Sequence, residues 1–129
     1  MNLKTSKQLV EEAMQEIVTL EAAEVKSQLN NNLGALLIDI RDIRELKKLG
    51  TVDNSTHIPR GMLEFWLDPE SPYYKNQLSP DKPKILFCAS NWRSALAVKA
   101  LNDMGFENIS HVKGGFEALI HHGFKLQKI

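Results

Sequence analysis

One cysteine in 129 residues, Cys88, excludes an internal disulfide and argues for a reducing compartment. Net charge is missing too. Sixteen Lys and Arg balance sixteen Asp and Glu, so the chain lacks the electrostatic footprint of a protein that binds nucleic acid or an acidic membrane surface. No apolar stretch approaches the length of a membrane span. The segment MNLKTSKQLVEEAMQEI is interrupted by charge throughout and has no h-region of a secretory signal. A cytoplasmic soluble protein is the expectation. Metal chemistry finds no ligand pattern: adjacent histidines such as His121 and His122 point in different directions on a helix, and no second pair stands at ligand spacing. Those two and His111 are expected to be solvent-exposed histidines. Repeats and low-complexity segments are absent as well.

What is present suits one globular domain. Hydrophobic residues make up 43% and charged residues 25%, enough for a core without staples. Leu9, Val10, Ala13 and Met14 have helical spacing and predict a helix over 6–14. A short apolar run at 17–20 reads as a strand, and 21–29 as a helix broken by the asparagines and glycine that follow. ALLIDI (35–40) is apolar up to Asp39, the pattern of a strand covered on both faces. A short helix over 41–49 ends at Gly50, a polar loop TVDNST follows, and 62–67 forms a helical turn. All but one of the prolines fall in 68–83, which reads as irregular. A strand at 85–87, a helix at 94–104, a strand at 108–112 and a helix at 116–121 complete the chain. Strands alternating with helices predict an α/β fold with a mainly parallel sheet and helices on both faces.

Cys88 stands at the carboxyl end of the 85–87 strand, where open α/β sheets bind ligands. A short loop, Ala89 to Trp92, leads from it directly into a helix. Unpaired N–H groups at a helix start favour negative charge in front of them. A thiolate held there is expected to be stabilised and nucleophilic. Ala89, Ser90 and Asn91 are small or turn-tolerant enough for close backbone approach, Arg93 adds positive charge at the rim, and Trp92 is expected to point outward. The competing expectation for a lone cysteine is a small buried hydrophobe. If the thiol turns inward among aliphatic groups, the nucleophile reading fails and only the fold remains.

The stretch CASNWRS (88–94) resembles the active-site loop of the rhodanese (sulfurtransferase) family, in which a cysteine opens a loop closed by an arginine and followed by a helix. LLIDIRDIREL (36–46) resembles the family's strand ending in Asp-x-Arg before an acidic helix. LNDMGFENISHVKGGFEAL (101–119) resembles its helix, Gly-aromatic turn, last strand and Gly-Gly-aromatic motif. The family's Gly-His-Ile-Pro-Gly-Ala segment has two placements, His57-Ile58-Pro59 by letters and 50–55 by spacing, and spacing is preferred. The likeness runs from about residue 17 to 124. It implies a rhodanese-like three-layer domain over 17–129, with 1–16 as an N-terminal helical extension.

That resemblance implies a sulfurtransferase. Cys88 would take the outer sulfur of thiosulfate, mercaptopyruvate or a persulfide and pass it to a thiol or cyanide. Ala89, Ser90, Asn91, Trp92 and Ser94 would form the loop that holds the persulfide. Arg93 would bind the donor or brace the loop through a carboxylate. Asp39 and Arg41 would order the loops, or form a structural pair with each other or with Glu45. Arg60 would bind an anionic donor or stand solvated. No metal or organic cofactor is implied, and the partners would be a small sulfur donor and a thiol acceptor, an acceptor protein included. Two alternatives stay open. One is a sulfur carrier or regulatory module on the same fold without free turnover. The other is a cysteine phosphatase, whose signature has one residue more between Cys and Arg than the four found here. Ala89 stands where many family members carry a basic residue, Asn91 where many carry glycine, and Leu119 replaces a frequent tryptophan.

Overall fold

The computed structural model describes residues 1–32 and 34–129. Helix α1 (Ser6–Glu16) begins at Thr5, whose hydroxyl accepts from Gln8 N–H while the Gln8 side chain accepts from Thr5 N–H. Strand β1 (Val18–Leu20), helix α2 (Ala22–Asn31) and strand β2 (Leu36–Asp39) follow. Asp42 and Glu45 close a further capping box at the start of α3 (Ile43–Leu49). After the short strands β3 (Thr51–Val52) and β4 (Thr56–His57), a 3-10 turn at Arg60–Met62 runs into α4 (Leu63–Leu67). The proline-rich stretch is irregular apart from a 3-10 turn at Asn76–Leu78. Strand β5 (Lys84–Phe87), helix α5 (Trp92–Asp103), strand β6 (Ile109–Val112), helix α6 (Gly115–His121) and strand β7 (Leu126–Gln127) close the chain.

Five strands form one parallel sheet in the order β1-β6-β5-β2-β4. Side chains alternate across it. Ile38, Leu86, Cys88 and Ile109 pack with Leu63 and Leu67 of α4 and with Ala97, Val98 and Leu101 of α5. Leu37, Ile85, Phe87 and Val112 pack with Val25 of α2 and Leu119 of α6 on the other face. The expected α/β architecture, with helices covering both faces of a mainly parallel sheet, is the one observed. Both faces being covered explains the unbroken apolar runs of β2 and β5.

The polar loop expected at 51–56 is corrected. Thr51–Val52 pairs antiparallel with Leu126–Gln127 in a separate ribbon, and Thr56–His57 joins the main sheet beside β2. Strands of two residues are too short to carry a period, so their pairing is decided by tertiary context. The stretch preferred by spacing for the Gly-His-Ile-Pro motif therefore supplies the ribbon, and His57-Ile58-Pro59 leads out of the sheet.

Candidate functional site

β5 delivers Cys88 to the carboxyl end of the sheet, and the chain turns within Ala89–Asn91 to enter α5. Asn91 is the N-cap residue of α5, yet its side chain does not cap that helix. Its Oδ1 instead accepts from Gly114 N–H at 2.9 Å, which ties the loop to the turn before α6. Among the described residues, no carbonyl or side chain accepts from the main-chain N–H groups of Ala89 to Ser94. Diverting the Asn91 cap thus leaves the first donors of a 12-residue helix free.

The turn before α6 supports the loop from behind. Phe116 N–H donates to the Cys88 carbonyl at 2.8 Å. Gly115 has φ +57°, and a Cβ there would strike the Cys88 carbonyl oxygen and stand 2.7 Å from that of Ser90. Only glycine permits this approach. The Phe116 ring lies 4.0 Å under the Arg41 guanidinium.

Arg41 and Asp39 form a fully buried pair. Arg41 Nε donates to Asp39 Oδ1 at 3.0 Å and Nη2 to Oδ2 at 2.8 Å, with a further bond to the Gly50 carbonyl. Thr51 Oγ1 donates to Asp39 Oδ2 at 2.7 Å. Of the two expectations for these residues, the geometry shows a mutual pair, and its link to the loop is indirect, through Phe116. Arg93 forks onto Glu45 at 2.6 and 3.0 Å. The guanidinium holds the Glu45 carboxyl below its ordinary value, and the carboxylate in turn holds Arg93 above its own. Arg93, at the end of the loop, is thus paired with a carboxylate of α3. Arg60 donates to Glu64 one turn along at 2.8 Å. Trp92 and Ser90 face solvent, with Trp92 half exposed.

The expectation of an open, solvent-facing thiol is corrected. Cys88 is 1% exposed and packs in the aliphatic cluster on the α5 side. The reason is strand parity, which carries Cys88 to the same face as Leu86. Its Sγ donates to Ser94 Oγ at 3.5 Å. The expectation that His111 is exposed is corrected as well. It is fully buried between Ser94 and Thr19, and burial pushes its pKa down to about 4. Sequence reasoning did not find Thr19, Gly115 or Phe116 as neighbours of the loop's support, and it gave Glu45 a different partner. The Gly-Gly-aromatic motif carried a signal for Gly115 and Phe116.

The model of the rhodanese-like domain family matches residues 21–122. YqhL, an uncharacterized protein of Bacillus subtilis, is 32% identical over 83 residues, 64% of this chain and 59% of its own length. This chain thus spans about three fifths of that relative. A rhodanese domain-containing protein of Drosophila melanogaster is 30% identical over 67% of this chain and 82% of its own. Among solved structures, a Rhodopseudomonas palustris protein of unknown function, described as a possible tyrosine phosphatase, is 37% identical. It superposes with TM-score 0.90 over 98% of this chain and 97% of its own. The polysulfide-sulfur transferase homodimer of Wolinella succinogenes is 31% identical, with TM-score 0.73 over 95% of this chain and 87% of its own.

Proposed function

Because the chain belongs to the rhodanese-like domain family, we propose that it is a sulfurtransferase carrying a sulfane sulfur on Cys88. The observation behind this reading is the single thiol placed where β5 ends and where six main-chain N–H groups, without an acceptor among the described residues, lead into α5. The Cys88 thiolate attacks the outer sulfur of thiosulfate, mercaptopyruvate or a persulfide. The S–S bond to Cys88 forms as the donor's bond to that sulfur breaks, and the leaving group departs with the electron pair. An acceptor thiolate or cyanide then takes the sulfur and frees the Cys88 thiolate. Once the loop opens, the N–H groups of Ala89 to Ser94 would be available to the negative charge of both steps. Arg93, held by Glu45, fixes the arginine end of the loop. Residues 1–16 act as an extension on the domain at 17–129, with α1 packed against α5. A reducing compartment such as the cytoplasm suits a free thiol with this role.

The inward thiol meets the condition set above against a freely acting nucleophile, so the sulfurtransferase reading requires the loop to open. Burial of Cys88 favours a second reading, a sulfur carrier or regulatory module whose loop opens only for a protein partner. Donor access requires the buried Cys88 side chain to become exposed. Mass spectrometry after incubation with thiosulfate, 3-mercaptopyruvate or glutathione persulfide separates the readings. One added sulfur on Cys88, absent in Cys88→Ser, together with thiosulfate:cyanide turnover, is the expected result. A sulfur added without turnover selects the carrier. No added sulfur, with p-nitrophenyl phosphate hydrolysis that is lost in Cys88→Ser, refutes both in favour of a phosphatase.

A further inference from the structure

His111 has no exposed surface, yet both of its ring nitrogens are engaged by hydroxyls. Nδ1 lies 2.8 Å from Ser94 Oγ, and Nε2 lies 3.0 Å from Thr19 Oγ1. Ser94 Oγ is also the atom to which Cys88 Sγ donates at 3.5 Å, and its own hydroxyl has a second acceptor in the Asn91 carbonyl at 3.2 Å. Strand β6 carries His111 and separates β5 from the edge strand β1. Four side chains therefore make a continuous hydrogen-bonded line from the buried thiol to Thr19, which is half-buried on the border of the sheet. An aliphatic residue at position 111 would fill the space without desolvating an imidazole.

We propose that Ser94, His111 and Thr19 form a neutral proton wire that reverses its polarity when Cys88 ionises. This rests on the reading of Cys88 as the sulfur-carrying nucleophile. While the thiol is protonated, S–H donates to Ser94 Oγ, Ser94 O–H donates to His111 Nδ1, the nearer of its two acceptors, in preference to the Asn91 carbonyl, and Nε2–H donates to Thr19 Oγ1. On ionisation the S–H proton moves to Ser94 Oγ, the Ser94 proton to Nδ1, the Nε2 proton to Thr19 Oγ1, and the Thr19 proton to water at the sheet border. Each hydrogen bond then points the other way, and Ser94 O–H donates to the thiolate. His111 exchanges one tautomer for the other and stays uncharged before and after. Its burial, which opposes the imidazolium, fits this arrangement and disfavours a Cys–His ion pair.

Charged groups stand on or beside several of the elements that carry this line. Arg93 of α5 acts on Cys88 and is held by Glu45 of α3, with Asp39 of β2 also in its field. Lys113 and Glu21, 3.6 Å apart, follow β6 and β1. The variants below change none of them.

The test is an ultraviolet thiolate titration of the full chain, read as the difference from Cys88→Ser. With one cysteine in the chain, the signal reports Cys88 alone. Thr19→Val keeps the shape and removes the terminal hydroxyl, whereas Thr19→Ser retains it. His111→Gln keeps hydrogen-bonding groups but cannot exchange tautomers. The expected result is a midpoint raised by roughly one pH unit in Thr19→Val and in His111→Gln, a tenfold loss of thiolate below the midpoint. Thr19→Ser should titrate with the parent. An unchanged midpoint in Thr19→Val overturns the wire, as does Thr19→Ser shifting as far as Thr19→Val. If His111→Gln fails to fold, the half-buried Thr19 pair still decides the matter. No sulfur donor enters this measurement, so failure to load sulfur on Cys88 defeats the sulfurtransferase reading without deciding the wire, and the reverse holds.

Discussion

Replacing Gly115 by alanine tests how the loop after β5 is held. The φ of +57° costs an L-residue about 1–2 kcal/mol. The new methyl would also meet three main-chain atoms: the Cys88 carbonyl oxygen, the Ser90 carbonyl oxygen at 2.7 Å and the Ala89 carbonyl carbon at 3.0 Å. Backbone cannot swing aside as a side-chain tip does, so overpacking adds about 1–3 kcal/mol. Moving the loop away also breaks the bond from Phe116 N–H to the Cys88 carbonyl, a further loss of about 1 kcal/mol. The sum, about 3–6 kcal/mol, is a large part of the stability of an ordinary domain. Two other glycines serve as controls. Gly105 has φ +99° with open space at its Cβ, and Gly61 has open space without positive φ. Urea unfolding should rank the alanine variants Gly115 well below Gly105, with Gly61 near the parent. Titration of the thiol with a disulfide reagent should find Cys88 more accessible in folded Gly115→Ala. If Gly115→Ala costs no more than Gly105→Ala, the contact between the turn and the loop does not support the site and the reasoning is refuted.

Removing one member of the buried Asp39–Arg41 pair, as in Asp39→Ala, should cost roughly 3–5 kcal/mol, because the guanidinium is left uncompensated. A double-mutant cycle with Arg41→Met in urea checks it, and the double variant should lose less than the two single losses combined. Glu45→Gln should lower stability by less than roughly 1 kcal/mol near neutrality, since its partner Arg93 is partly exposed. Glu45 is held below its ordinary 4.5, so this contribution is present above that value and fades as pH falls through the lower folded-state value. Denaturation of parent and variant at neutral and acid pH should therefore converge in acid. His111 takes up a proton readily when unfolded and only near pH 4 when folded. Its contribution is complete above 6.5 and is lost on acidification towards 4, on the order of 3 kcal/mol in all. Stability against pH in His111→Gln should be flatter across that interval, and an equal slope would contradict the burial argument.

The parallel sheet and its helices were legible because long apolar runs and helical periods leave strong marks. Residues 35–40 and 94–104 correspond to β2 and α5 with boundaries shifted by a residue or two. The inward turn of Cys88 was hidden for the same reason that β5 was easy to find. When every residue of a strand is apolar, no alternation tells which face a given position takes. Glu45 was noticed as a carboxylate near the Asp-x-Arg motif, but its partner, Arg93, lies 48 positions along the chain. His111 looked like surface because a single histidine carries no periodic signal, and only the strand order reveals Ser94 and Thr19 on either side of it. The diversion of the Asn91 side chain to Gly114 likewise depends on the meeting of two turns 23 residues apart.

The two outermost strands of the five-stranded sheet are stubs, three residues in β1 and two in β4. So little unpaired backbone gives a foreign strand almost nothing to zip onto. Self-association by continuing the sheet is accordingly disfavoured, and copies of this chain that meet would have to do so through side chains on helices and turns.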